Sequence, residues 1–232
     1  MGKLIAIGDI HGNRSWEDII SANKDFSKVV FIGDYFDSIN IPADEQIRNF
    51  QEIIKFKEAN QDKVILLIGN HCIHYILSYF GERYSGFQHK RSFEITHLIK
   101  SALPLMQMCH IDGNNLFSHA GITNTWLQTY DYKPEKDNVE SFVNDLFKYQ
   151  PLSFKFQGID PYGDDVEQSP VWVRPRSLLR DKLAGFIHVV GHTSARRLDI
   201  DDVEKRGIIL IDTLAEKQYL VINDGNYEVK TF

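Results

Sequence analysis

The sequence predicts an α/β protein built around a largely parallel sheet. Three observations carry this. Leu4–Ile7, Val29–Ile32 and Val64–Ile68 are short, unbroken apolar runs rich in β-branched residues, the pattern of strands buried on both faces. Each run stops at a glycine followed by a side chain able to bind metal: Gly8-Asp9, Gly33-Asp34 and Gly69-Asn70-His71. Helical spacing fills the stretches between, and strand–helix–strand crossovers of this length set the strands parallel. In such sheets ligands bind beyond the carboxyl ends of the strands, so the three polar ends share one edge.

The first strand, Leu4–Ile7, runs through Gly8 into Asp9, Ile10 and His11. Asp9 and His11 are two residues apart, so in an extended backbone their side chains point the same way and can serve one ion. Ser15 is placed to cap a helix running to Asn23, with Glu17 and Asp18 in its first turn. After the second strand, Ala43–Asn60 has helical spacing at Ile47, Phe50, Ile53 and Ile54, with Pro42 just before it. His74–Phe80 continues a helix that starts in the third loop, and Phe93–Leu103 is a further helix stopped by Pro104. Together they suggest a helical or irregular, cap-like region around 80–105. Met106–Ile111 and Asn115–Ser118 flank Asp112-Gly113-Asn114, which predicts a hairpin whose second strand ends in His119-Ala120-Gly121. Helices follow over Thr125–Tyr130 and Val139–Tyr149. Residues 150–170 hold three of the seven prolines and the acidic cluster Asp160, Asp164, Asp165 and Glu167, so a long irregular loop is expected. Ile187–Val190 is again a buried strand, ending in Gly191-His192-Thr193. Ile208–Asp212, Tyr219–Ile222 and Tyr227–Lys230 then read as an antiparallel meander that closes the fold.

Composition narrows the function. The 232 residues suffice for one domain spanning 1–232 with a proper core. An apolar share of 43% and a charged share of 25% are those of an ordinary globular protein. A net charge of −6 argues against a role coating nucleic acid. No run of eighteen apolar residues and no signal-peptide pattern occurs, because Asp9 and His11 interrupt the only apolar N-terminal segment. Cys72 and Cys109 are too few for a disulfide framework. A cytoplasmic protein with no membrane partner is expected, and nothing sets its oligomeric state.

Asp9, His11, Asp34, Asn70, His119 and His192 each sit just past a predicted strand. Two carboxylates, one amide and three imidazoles suit a pair of mid-row divalent ions such as Mn, Fe, Ni, Co or Zn. A carboxylate such as Asp34 can bridge them. Two ions roughly 3.5–4 Å apart clamp the attacking and leaving oxygens of an in-line displacement at phosphorus. Coordination also lowers the pKa of a shared water enough to make a nucleophile at neutral pH. No Walker-type lysine loop and no Ser/His nucleophile competes. The residues favour metal-assisted hydrolysis.

In order and spacing, G-D-I-H-G, G-D-Y-F-D, G-N-H, H-A-G and G-H-T resemble the calcineurin-like metallophosphoesterase superfamily. The likeness is nearest to its phosphoprotein-phosphatase-type branch, which includes bacterial protein phosphatases and dinucleoside tetraphosphatases, and it runs from about residue 3 to about residue 213. The resemblance implies a four-layer α/β fold, a β-sandwich of two mixed sheets flanked by helices. It implies that Asp9, His11 and bridging Asp34 hold one metal ion, with Asp34, Asn70, His119 and His192 holding the second. Manganese is the first choice, with Fe, Zn, Ni or Co also able to serve. His71 would be the general acid that protonates the leaving oxygen, and Asp37 would hold its imidazole in the useful tautomer. The implied activity is hydrolysis of phosphomonoesters by a metal-bridging hydroxide, on a phosphoprotein or a nucleotide. A dinucleoside polyphosphate hydrolase or phosphodiesterase is the alternative. A catalytically silent, protein-binding scaffold is a second, disfavoured because every ligand and His71 are retained.

The chain also departs from the pattern. The family's second block usually continues D-R-G, whereas Asp37 is followed by Ser38 and Ile39, so the phosphate-clamping arginine is absent there. The third block usually ends in an acidic residue, and here stands Cys72. Trp172-Val173-Arg174 resembles the W-x-R segment that contacts phosphate in related bacterial enzymes, which makes Arg174 the first choice of clamp. Arg14 and Arg176 are further candidates, since a guanidinium grips phosphate oxygens in pairs. Symmetric dinucleoside tetraphosphatases usually lack an acidic residue at the position of Asp37, so its presence leans towards the protein-phosphatase side. His74, His89, His97, His110 and His188 have no motif context and read as ordinary. Tyr and Phe residues between 75 and 93 read as core and cap packing, and the acidic loop 160–167 as a solvated face.

Overall fold

The computed structural model describes residues 2–77, 85–133, 138–158 and 160–232. Strands β1 (Leu4–Ile7), β2 (Lys28–Phe31) and β3 (Val64–Leu67) are parallel neighbours. Helices α1 (Ser15–Ala22) and α2 (Ala43–Ala59) form the crossovers between them. Alternate residues face opposite layers. Ile5, Ile7, Phe31 and Leu66 pack with Trp16 and Ile19 of α1 and Phe50 and Ile53 of α2. Leu4, Ala6, Val30 and Leu67 instead meet Phe117, Val189 and Ile209 of a second sheet. Burial on both faces is why these strands read as unbroken apolar runs.

The first sheet has the order β10 (Asn226–Thr231), β9 (Gln218–Asn223), β1, β2, β3, β4 (Met106–Gln107), and the second has four strands. The second comprises β5 (Cys109–Asp112), β6 (Asn115–Ser118), β7 (Ile187–Val190) and β8 (Ile208–Leu210), with β6, β7 and β8 mutually parallel. Its outer face is covered through Leu178 of α7 (Pro175–Asp181), which packs with Val190 and Ile208. The layers run helix, sheet, sheet, helix, and both sheets are mixed, which is the two-sheet sandwich expected.

Two strand assignments need correction. The run Met106–Ile111 is not one hairpin strand. Its first part, β4 (Met106–Gln107), pairs in parallel with β3, and the chain then switches sheets at Met108 before β5 pairs with β6. Asn144 of α6 (Val139–Tyr149) makes the switch possible: its Oδ1 accepts from Met108 N at 2.8 Å and Cys109 N at 3.2 Å. These are backbone donors that a bent ladder leaves without strand partners. The C-terminal meander is likewise split. Ile208–Leu210 joins the second sheet, whereas β9 (Gln218–Asn223) and β10 (Asn226–Thr231) form a hairpin beside β1 in the first.

Helix ends also moved. Ser15 lies inside α1 and does not cap it; Asn13 Oδ1 accepts from Ser15 N at 2.8 Å, an Asx turn that delivers the chain into the helix. Helix α3 (Asn70–Ile76) starts in the third loop, at Asn70, and continues through His74 as expected. Its expected continuation from residue 78 to Phe80, and the first part of the region 80–105, lie outside the described residues. Helix α4 (Ser92–Ala102) buries Ile95 and Ile99 in the main core, and α5 (Asn124–Thr129) follows β6. Helix α7 was not anticipated, although Pro175 at its first position is the signal that could have found it. Among the described residues no helix is long and apolar enough to cross a membrane.

Candidate metal centre

The carboxyl ends of β1, β2 and β3 from one sheet and β6, β7 and β8 from the other meet at one edge of the sandwich. The segments leaving them carry Asp9 and His11, Asp34 and Asp37, Asn70 and His71 at the start of α3, His119, His192, and Asp212. Local backbone is forced there. His11 (φ 40°), Asp34 (φ 50°), Asp37 (φ 71°) and His192 (φ 61°) all lie in the left-handed region, each at a cost of order 1 kcal/mol. Cross-loop bonds hold the first two in place, with His11 N donating to Asp34 O at 2.6 Å and Gly12 N to Tyr35 O at 3.0 Å. Two glycines are dictated by approach distance: a Cβ on Gly69 would fall on Asp34 Oδ1, and one on Gly191 on Asp9 Oδ1.

Asp34 lies at the centre. Its Oδ1 accepts from His71 N at 2.9 Å, and its Oδ2 is 3.3 Å from His119 Nε2 and 3.9 Å from His11 Nε2. Asn70 Oδ1 sits between His119 Nε2 at 2.8 Å and His192 Nδ1 at 3.0 Å. Both oxygens of Asp9 accept from His192 N at 3.1 Å. Ligand atoms of Asp9, Asp34 and His119 lie within 4.8 Å of one another, as do those of His11, Asp34 and His71. Asp34 belongs to both of these groups, where a carboxylate could serve two ions, and a third group, Asp37, His71 and His74, shares His71 with the second.

The donor set fits a divalent cation. His11 Nδ1 is 2.6 Å from Phe36 O and His119 Nδ1 is 3.0 Å from Ile32 O. A carbonyl can only accept, so each Nδ1 carries its proton and Nε2 is the nitrogen left to take a metal. Charge points the same way. Burial, followed by the carboxylate of Asp212, pushes Asp9 well above the usual carboxylate range. Asp34, although burial opposes it, is held well below that range by His119 and His71. Burial works against a charged His119, but Asp34 and Asp9 raise it to about 9. A proton on its Nε2 thus occupies the place a cation would take, and binding metal would release it. Burial, with His119 and Arg174, keeps His192 neutral, as a ligand must be.

Beside these six, His71 Nδ1 is 2.8 Å from Asp37 Oδ2, and its ring meets that of His11 edge-on at 5.1 Å. Arg174 reaches the centre from the loop before α7. Its Nε donates to Tyr162 O at 2.8 Å, and its Nη1 donates to His192 O at 3.0 Å and Thr193 Oγ1 at 3.1 Å. Its Nη2 has no protein partner among the described residues. Arg174, His71, Asp9 and Asp34 line the same cleft, of about 370 Å³. Arg14 is instead paired with Glu17 on the surface of α1, and Arg176 is exposed, 3.9 Å from Asp164. Neither lines the cleft.

Several neighbours were missed in the sequence. Asp212, its Oδ2 accepting from Ser194 Oγ at 2.7 Å, lines the cleft, and burial raises its pKa. Its signal was present: it ends a predicted strand, as the other acidic residues do. His74 is fully buried, 3.7 Å from Asp37 Oδ2, and burial lowers it to about 3, so it is no ordinary surface histidine. Tyr75 donates its hydroxyl to Asp37 Oδ1. The acidic loop is more than a solvated face, since its Tyr162 and Pro161 border the cleft.

The model of the calcineurin-like phosphoesterase family matches residues 2–202. Among solved structures, the chain is similar to the cold-active protein-tyrosine phosphatase of a psychrophilic Shewanella species. The TM-score is 0.64 and the identity 17%, over 100% of this chain and 78% of that one. It is also similar to a protein serine/threonine phosphatase from Saccharomyces cerevisiae, with TM-score 0.56 and 13% identity over 100% and 79% of the two chains. A metallophosphoesterase from Sphaerobacter thermophilus gives TM-score 0.52 and 14% identity over 99% and 88%. At these identities the likeness is one of fold. No curated protein matches the chain.

Proposed function

The chain belongs to the calcineurin-like phosphoesterase family and is a phosphoester hydrolase; from that premise, we propose that it hydrolyses phosphomonoesters at a centre of two divalent ions. One observation carries the reading. Asp9, His11 and His119 gather round Asp34, Asn70 Oδ1 joins His119 to His192, and a hydrogen-bonded His71–Asp37 pair stands at the same edge. In our assignment Asp9, His11 and Asp34 hold one ion, and Asp34, Asn70, His119 and His192 the other, with manganese the first choice. Bound ions of this kind polarise phosphoryl oxygens and activate water at neutral pH. The chain's residues supply the rest. His71 protonates the leaving oxygen through Nε2, because Asp37 occupies Nδ1 and fixes the ring. The phosphatase neighbours support a phosphorylated protein as substrate class. Both cysteines are buried and free, which suits a reducing cytoplasm.

The test is turnover by manganese-loaded protein on p-nitrophenyl phosphate, a phosphodiester analogue, a phosphopeptide and a dinucleoside tetraphosphate. Hydrolysis of the two monoesters is expected. Silence on all four, with bound metal verified, would overturn the reading, and preference for the tetraphosphate would move it to nucleotide hydrolysis.

Arg174 is the clamp in this proposal. Its Nε and Nη1 are committed to the protein, which leaves Nη2 for a ligand in the cleft that Arg174 lines. A lysine has no planar fork to reproduce that arrangement. Arg174→Lys is expected to lower kcat/KM by roughly 10- to 100-fold, the worth of one charge-assisted hydrogen bond, and to weaken inhibition by inorganic phosphate alike. Phosphate inhibition equal to wild type would remove Arg174 from the role.

A further inference from the structure

We propose that Tyr75 is a positioning residue for the acid step, its buried hydroxyl fixing the Asp37–His71 pair; this rests on the reading of His71 as general acid. Tyr75 follows His71 by four residues on α3, so both lie on one face of the helix. The two side chains take opposite oxygens of one carboxylate. Tyr75 Oη donates to Asp37 Oδ1, and Asp37 Oδ2 faces His71 Nδ1 at 2.8 Å. The direction of the phenolic proton is set by a third group. Gln88 N, which can only donate, points at Tyr75 Oη from 3.0 Å. The oxygen accepts there, so its own hydrogen is left for Asp37. Burial, with the carboxylate beside it, raises the phenol above its ordinary range and keeps it a donor.

The surroundings lock this arrangement. The Tyr75 ring is 0% exposed and stacks on Phe87 at 4.7 Å and 16°. Gln88 Nε2 donates to Ser38 O at 3.1 Å and to Gly86 O at 2.7 Å, tying the segment before α4 to the loop that carries Asp37. At Gly86 a Cβ would fall on Asp37 O. Asp37 itself is in the left-handed region, a conformation that persists only where its neighbours over-determine it. With both oxygens engaged the carboxylate cannot rotate, and the imidazole keeps Nε2 towards the cleft. Losing the hydroxyl frees Oδ1 and with it the orientation of His71.

Tyr75→Phe keeps the ring and removes only the hydroxyl. The expected result is a loss in kcat of roughly 10- to 100-fold on an alkyl phosphate, whose leaving oxygen needs a proton. On p-nitrophenyl phosphate the change should stay within about twofold, with metal content and KM unaltered. An equal loss on both substrates, or none on either, would overturn the proposal. His71→Asn in parallel separates the two levels: leaving-group dependence there but not in Tyr75→Phe rejects Tyr75 alone, and its absence in both rejects the acid reading as well. Proton NMR of the unmodified protein gives a test that needs no folded variant. A slowly exchanging, downfield hydroxyl proton of Tyr75 is expected, and a rapidly exchanging one would refute the contact.

Discussion

Asp34→Asn is expected to abolish binding of the divalent ions and to lower turnover at least about 10³-fold, since metal charge supplies several kcal/mol of stabilisation to the transition state. Asp34 belongs to two of the three candidate groups, with Oδ2 facing His119 and His11. Asparagine has the same shape and retains an oxygen for His71 N, so the fold has no reason to collapse. What disappears is the negative charge that two cations would share. A second readout avoids activity altogether. Saturation at a thousand times Kd stabilises a folded protein by about 4 kcal/mol. For a chain of this size that corresponds to a rise in Tm of roughly 8–16 °C. Manganese should give that rise in the native protein and chelation should reverse it, whereas Asp34→Asn should show neither. A metal-dependent rise of equal size in the variant would dismiss Asp34 as the bridge.

His71→Asn is the second large effect, and its signature is selectivity. General acid catalysis contributes about 10²- to 10⁴-fold where the leaving oxygen must be protonated. An alkyl phosphate should lose that much. p-Nitrophenyl phosphate, whose leaving group departs as a stable anion, should lose little. Metal binding should survive, because His71 Nδ1 is committed to Asp37 and its backbone N–H to Asp34. An equal loss on both substrates, accompanied by loss of metal, would instead make His71 a ligand, the other role its place beside His11 and Asp34 allows.

Two missed neighbours of Asp37 show why a constellation is only partly legible. Tyr75 reads as one more apolar position on a helix, and its hydroxyl gains meaning only through Asp37, 38 positions earlier. His74 lacks motif context, yet the fold buries it against the same carboxylate. Asp212 carried the strand-end signal without a glycine before it. The arginines show the converse. Arg14 and Arg174 are equally cationic on paper, but Glu17, three residues on, engages the first. The second is oriented by carbonyls of Tyr162 and His192, from separate loops.

The sequence by itself determined the strand ends and what they carry. Short β-branched apolar runs bounded by turn residues read as buried strands, and a glycine before Asp9, Asp34, Asn70 and His192 allows the close approach seen at Gly69 and Gly191. Those rules are local, acting over a few residues. Tertiary structure alone decided which sheet each strand joins. The switch at Met108 depends on Asn144, and the placement of β8 beside β7 rather than β9 on pairing between distant segments. A strand's side-chain period is the same whatever its neighbour, so the pattern cannot name the partner. Pairing brings the carboxyl ends of both sheets to one edge, and only there do six separate side chains become one candidate metal centre.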